Sequence, residues 1–145
     1  MEKVKKARLD GILKKKAEGT MLQPLKLDLQ NNCADLNKIV SYKPDNSFLI
    51  RVSGDSMVNA GISSGDIVLV NKSAKAQDGD IIMASVNDNL VIKRLKHCNG
   101  AGYMLMPENK DYGNIKIQPE DKFEICGVVT TVIKMFYTKP ATRVL

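Results

Sequence analysis

The sequence predicts a mostly β protein, a compact and largely antiparallel body behind a short N-terminal arm. Apolar, β-branched runs recur from Ser47 onward, as in Ile67–Asn71, Asp80–Val86 and Phe123–Lys134, with Gly, Asn or Asp near their ends. No stretch beyond Ser47 carries a strong helical period. The 145 residues, 43% hydrophobic and 26% charged, suffice for a single core.

Taken in order, Met1–Glu18 has a helix-forming composition, with Val4, Ala7, Ile12, Leu13 and Ala17 as a loose stripe broken by Gly11. Gly19–Thr20 would end it. One short helix is too little for a helix-turn-helix reader, so no direct sequence-specific DNA binding is expected. Leu25, Leu27 and Leu29 alternate with polar residues after Pro24, which reads as a strand or extended arm; Ala34–Val40 reads as a turn or two of helix. Lys43–Asn46 is a turn by composition. Strands follow at Phe48–Val52, Ile67–Asn71 and Asp80–Val86, the last reached from an Asp78–Gly79 turn. A hairpin turn at Asp88–Asn89 leads into Leu90–Lys96. Tyr103–Met106 and Ile115–Ile117 are shorter strands, and Phe123–Lys134 is a long β-branched one. Tyr137–Leu145, with Pro140, reads as a loose tail. The expected division is an arm over 1–34, a body over 35–136 and a tail over 137–145.

The net charge of +6 is concentrated in the arm. Residues 1–20 hold seven Lys/Arg against three acids, leaving 15 against 13 for the remainder. Such an arm can attach to DNA or an acidic protein, or simply be solvated. With no Trp, four Tyr and three Phe, a stacking surface for single strands is not expected. Cys33, Cys98 and Cys126 are an odd set without C-x-x-C spacing, which argues against a disulfide framework and against zinc. No metal or other cofactor is expected. No apolar run approaches the ~18 residues of a membrane span, and a signal-peptide core is missing, so the expected location is cytoplasmic.

Ser56 and Lys93 carry the chemistry. A serine hydroxyl is a poor nucleophile until a base takes its proton. The one His, His97, lies in a polar stretch beside Cys98, and adjacent strand residues point to opposite faces. A lysine can replace histidine if desolvation keeps it neutral. Lys93 sits in Leu90–Leu95, where alternation gives it a face with Val91 and Leu95. Ser56 follows Gly54–Asp55, whose tight turn can expose the hydroxyl and aim backbone N–H groups at an oxyanion. Serine–lysine pairs are a known hydrolytic variant. The plain alternative is a turn-forming serine and a lysine reaching solvent.

The set Ser53-Gly54-Asp55-Ser56-Met57, Gly61-Ile62, Gly65-Asp66-Ile67-Val68, Asp78-Gly79-Asp80-Ile81, Val91-Ile92-Lys93-Arg94-Leu95, Met106-Pro107-Glu108-Asn109 and Gly127-Val128-Val129 resembles the self-cleaving serine–lysine peptidases of the LexA/UmuD group, the S24 peptidases. The resemblance covers roughly Asp35–Phe136. Within the group it is nearest UmuD, on the short arm and on Asp35-Leu36-Asn37. It implies Ser56 as nucleophile and Lys93 as general base. Beside that, Asp55 and Met57 of the serine turn are candidate oxyanion and supporting residues, and Glu108 is a candidate to orient its loop through side-chain-to-backbone bonds. The resemblance also implies strongly bent antiparallel sheets of the LexA C-terminal-domain and signal-peptidase type. Further implications are a homodimer joined within Phe123–Lys134 and an arm cut when RecA filaments form on single-stranded DNA. The implied role is an SOS-response accessory subunit of an error-prone, Y-family translesion DNA polymerase (UmuC-like).

One position departs from the group, which cuts before a glycine about 35 residues ahead of the serine. Here Thr20–Met21 stands at that distance, and the nearest Xaa–Gly bond is Glu18–Gly19. A carboxylate fits poorly in a small apolar subsite. Either Glu18–Gly19 is cut, or the arm is not a substrate in cis, or the chain is a form beginning beyond the usual cut. A non-cleaving dimeric binding module of the same fold is the alternative function.

Overall fold

The computed structural model describes residues 35–100 and 102–136. The expected helix over Met1–Glu18, the extended Leu25–Leu29, the Glu18–Gly19 bond and the tail lie outside the described residues. The chain divides into two compact units, Met1–Leu36 and Asn37–Leu145, and the site lies within the second.

A single turn of helix, α1 (Leu36–Ile39), precedes the strands β1 (Ser47–Arg51), β2 (Ile67–Asn71), β3 (Ile81–Val86), β4 (Asn89–His97), β5 (Tyr103–Met106), β6 (Ile115–Lys116) and β7 (Phe123–Ile133). They form one sheet of seven strands in the order β1-β2-β7-β3-β4-β5-β6, every neighbouring pair antiparallel. The mostly β, antiparallel reading of the sequence holds.

The hairpin between β3 and β4 corrects the expected turn by one residue. Val86 pairs with Asn89, so the turn residues are Asn87 and Asp88, at φ 49° and 67°. A type I′ turn needs φ > 0 at both central positions, and Asn and Asp are the side-chain-bearing residues that tolerate it best. Asn89 is therefore the first residue of β4.

Bending comes from β7. Its register slips once against β2, where Val70 faces Val129 but Leu69 faces Thr131, and once against β3, where Met83 faces Gly127 but Ala84 faces Ile125. Each slip leaves an extra residue on β7, Thr130 and Cys126, and a bulge of this kind bends a strand and raises its twist.

Two clusters of buried side chains follow. One joins Met57, Ile62, Val68, Val70 and Met83; the other joins Ile82, Ala84, Leu95, Leu105 and Val128. β3 feeds both, Met83 into the first and Ile82 and Ala84 into the second. A strand buried on both faces has no polar alternation, which is why Ile81–Ala84 reads as a continuous apolar run. Burying each large aliphatic side chain is worth about 1.5–3 kcal/mol.

At the far end of β7, Lys134 donates to Asp66, which also accepts from the Ser63 N–H at 2.8 Å. Lys134 first, then the Ser63 amide, hold the Asp66 carboxyl below its ordinary 3.8. A depressed folded-state pKa stabilises the fold above the unfolded carboxylate pKa, and that stabilisation fades as pH falls through the folded value. Asp66→Asn is expected to lower the urea midpoint near neutral pH, and the difference from wild type should shrink as pH falls through the lowered Asp66 pKa. Equal midpoints at neutral pH would show that the pair stabilises nothing.

Candidate active site

Ser56 lies on the connection between β1 and β2. Gly54 takes φ 102°, a left-handed value that a Cβ would strain. Beyond the serine, Met57 is buried at 3% exposure, and its carbonyl accepts from the Ala60 and Ile62 N–H groups at 3.0 and 3.2 Å. Val58–Ala60 forms a short 3₁₀ turn closed by Gly61 at φ 85°. With Met57 and Ile62 both in the first core cluster, the half-buried Ser56 is anchored by its neighbours rather than by its own side chain.

Lys93 comes from β4, and its Nζ lies 2.6 Å from Ser56 Oγ. Alternation gives Lys93 the face of Val91 and Leu95, which pack in the second cluster, whereas Met57 packs in the first. The reach between them is open because β5 pairs with β4 only from Arg94 to His97. Among the described residues no strand flanks Lys93 on that side, so its four-carbon stem is free to extend toward the serine. The amine is half-buried, and desolvation pulls its pKa below the ordinary 10.5. Loss of hydration disfavours the ammonium, so more of the base is neutral at a given pH.

Both groups line a cavity of about 380 Å³ whose apolar wall includes Ile50, Val52, Met83 and Ile92. β1 borders the sheet and the Asn89–Lys93 half of β4 pairs only with β3, so unpaired strand edges flank this opening among the described residues. An extended peptide can hydrogen-bond to such an edge.

The supporting residues meet the site in different ways. Asp55 meets the site through its carbonyl, which accepts from Asn109 Nδ2 at 2.9 Å. The Glu108 side chain was expected to bond backbone; instead its Oε1 accepts from Arg94 Nε at 2.5 Å. The loop is held by Glu108 main-chain atoms, with its N–H donating to Ser56 O and its carbonyl accepting from Asn59 N, each at 2.8 Å. The Met57 N–H donates to no acceptor among the described residues. Arg94 and Asn109 were absent from the expected site. An arginine next to the lysine, and a Pro-Glu-Asn turn of opposite charge, were the available signals. His97 stacks edge-on against Tyr103, with ring centroids 4.7 Å apart, while the Cys98 N–H donates to Gly102 O. No group of side chains able to hold a metal occurs among the described residues, and none of their helices is long and apolar enough to cross a membrane.

A bent antiparallel sheet that brings a loop serine against a desolvated strand lysine defines a class: β proteins with a serine–lysine couple beside a peptide-sized groove. A profile of the family described as Peptidase S24-like matches residues 16–130, and the chain belongs to that family. It is 41% identical over 96 residues to a LexA repressor of Paracidovorax citrulli, covering 66% of this chain and 42% of that one. It is 40% identical over 87 residues to LexA repressor 2 of Pseudomonas putida, covering 60% and 43%. A LexA repressor of Oleidesulfovibrio alaskensis is 42% identical over 82 residues, covering 57% and 39%. The chain thus spans about two fifths of the length of the curated relatives it matches.

Proposed function

We propose that this chain is a serine endopeptidase that cuts its own N-terminal segment, with Ser56 as nucleophile and Lys93 as general base. The observation that carries the reading is the 2.6 Å contact between a hydroxyl and an amine whose pKa is lowered by burial. In the first step Oγ attacks the scissile carbonyl carbon while its proton passes to neutral Nζ. The Met57 N–H is free to receive the oxyanion. Collapse breaks the C–N bond, and the leaving amine takes the proton from the Lys93 ammonium, leaving an ester on Ser56. Water, deprotonated by Lys93, then releases the acid and restores the serine.

The substrate segment is the arm over 1–34, the catalytic body 35–136, and the bond Glu18–Gly19. Following the family resemblance, the active species is a homodimer stimulated by RecA filaments on single-stranded DNA. Its finer role is UmuD-like, as accessory subunit of a Y-family polymerase. The charged Glu18 ahead of the glycine favours a second reading, a dimeric binding module that keeps the couple without cutting itself.

Incubation at alkaline pH, where desolvation leaves more of the amine neutral than an ordinary lysine would be, is expected to remove residues 1–18 as read by intact mass. RecA filaments are expected to produce the same fragment near neutral pH. An unchanged mass under both conditions would leave only the binding module, which a pull-down of a Y-family polymerase would then support.

A further inference from the structure

We propose that Arg94 and Glu108 form a positioning clamp that locks the serine loop to the strand carrying the base. The inference rests on the peptidase reading for its consequence, but its geometry stands independently.

Arg94 follows Lys93 directly on β4. Its Nε holds Glu108 Oε1 at 2.5 Å, while a terminal guanidinium nitrogen donates to Gly79 O at 2.6 Å. The guanidinium is therefore fixed at two points, one on the turn before β3 and one on the segment after β5. Glu108 in turn grips the serine loop twice, at Ser56 O before the short 3₁₀ turn and at the Asn59 N–H within it. Asn109 adds a third bond, to Asp55 O, and its own Oδ1 accepts from the Asp111 N–H at 3.0 Å. The serine loop thus has three hydrogen bonds to residues 108 and 109, and the side-chain tie from that segment to β4 is the ion pair with Arg94. Both charged side chains are about one-third exposed, so the pair adds little to global stability, as half-solvated pairs generally do. Its geometric effect is larger, because nucleophile and base sit on different segments and an error of about 1 Å costs up to about a hundredfold in rate. Arg94, Glu108 and Asn109 are positioning residues in this scheme, since none reaches the reacting atoms.

The test compares wild type, Arg94→Gln, Glu108→Gln and Arg94→Lys as full chains. The labelling rate of Ser56 by an alkyl fluorophosphonate is followed against pH, alongside thermal midpoints and amide hydrogen exchange at Asn59 and Glu108. Both Gln variants should lower the high-pH labelling plateau by about ten- to a hundredfold, with thermal midpoints within a few degrees of wild type. Exchange at the two amides should quicken while core amides stay protected. Arg94→Lys, which keeps the charge, should recover most of the plateau. Wild-type labelling in both Gln variants, or unchanged exchange at Asn59 and Glu108, overturns the clamp. If wild-type Ser56 labels at no pH, the peptidase reading fails, and the exchange measurement alone decides the clamp.

Discussion

Lys93→Ala is expected to slow acylation of Ser56 by about 10² to 10⁴-fold, the usual contribution of a positioned general base. The substitution also removes the lysine's titration midpoint and plateau from the pH profile. In wild type the rate should climb with pH as the ammonium loses its proton and level off above a midpoint lying below 10.5. In Lys93→Ala the residual rate should follow only solvent hydroxide. The same desolvation has a consequence for folding: near neutral pH the charged Lys93 costs stability where the ionised Asp66 adds it, although both contributions rise with pH. The unfolded lysine binds its proton more tightly than the folded one, so between the two pKa values the unfolded state holds more protons and stability rises with pH. Lys93→Met, which keeps the stem without the charge, should therefore melt above wild type near neutral pH and lose that advantage in strong alkali. A variant that is more stable yet inactive is the pattern expected where a site is kept functional at a cost to the fold. Fluorophosphonate labelling and thermal melting across pH check both halves. A Lys93→Ala chain that labels with the wild-type pH profile would remove the lysine from the mechanism.

The strands were legible in the sequence because they follow local rules. Ile67–Asn71 and Tyr103–Met106 have the bounds that β-branched composition and flanking turns indicate, and the remaining strands begin or end within a residue or two of expectation. The single-residue error at Asn87–Asp88 arose because either polar pair can occupy a two-residue turn, and only cross-strand register decides which does. What local patterns could not supply was the order of the strands. β7 inserts between β2 and β3, a pairing of segments far apart in sequence, and its two bulges depend on which partner lies beside each half. Thr130 and Cys126 look no different in the sequence from their paired neighbours.

The site was legible to an uneven degree. Ser56 and Lys93 were singled out as residue types, and the ordered motifs joined them, although 37 positions separate them. Periodicity gave Lys93 the face of Val91, which lines the same cavity as the amine and the serine, but not the reach to a loop packed around Met57 in the first cluster. The strand edge left open beyond Arg94 makes that possible, and an unfilled edge is a property of the partner strand's length. Arg94 and Asn109 were missed for a similar reason, because their partners are main-chain carbonyls or a distant carboxylate.

Gly127→Ala is expected to cost about 2–3 kcal/mol, at the upper end for overpacking a well-filled site. A Cβ there would meet Val70 Cγ1 at 2.6 Å and the Asn71 carbonyl oxygen at 2.7 Å. The valine methyl can rotate away, but the carbonyl belongs to β2 main chain and moves only with the strand. Gly113→Ala is the control, since nothing lies within 4 Å of its added carbon and its φ is not left-handed, so its effect should stay within about 0.5 kcal/mol. The larger interest is in activity. Within the sheet, β7 alone joins the β1–β2 pair, whose connection carries Ser56, to the β3–β4 pair carrying Lys93. Pushing β2 away from β7 at Asn71 changes the spacing of those halves, and the distance from hydroxyl to amine changes with it. Gly127→Ala should accordingly label more slowly at Ser56 even at temperatures where circular dichroism shows the chain fully folded, and Gly113→Ala should not. A urea midpoint for Gly127→Ala equal to that of Gly113→Ala would mean that β2 and β7 tolerate separation, and that the bulged strand does not set the geometry of the couple.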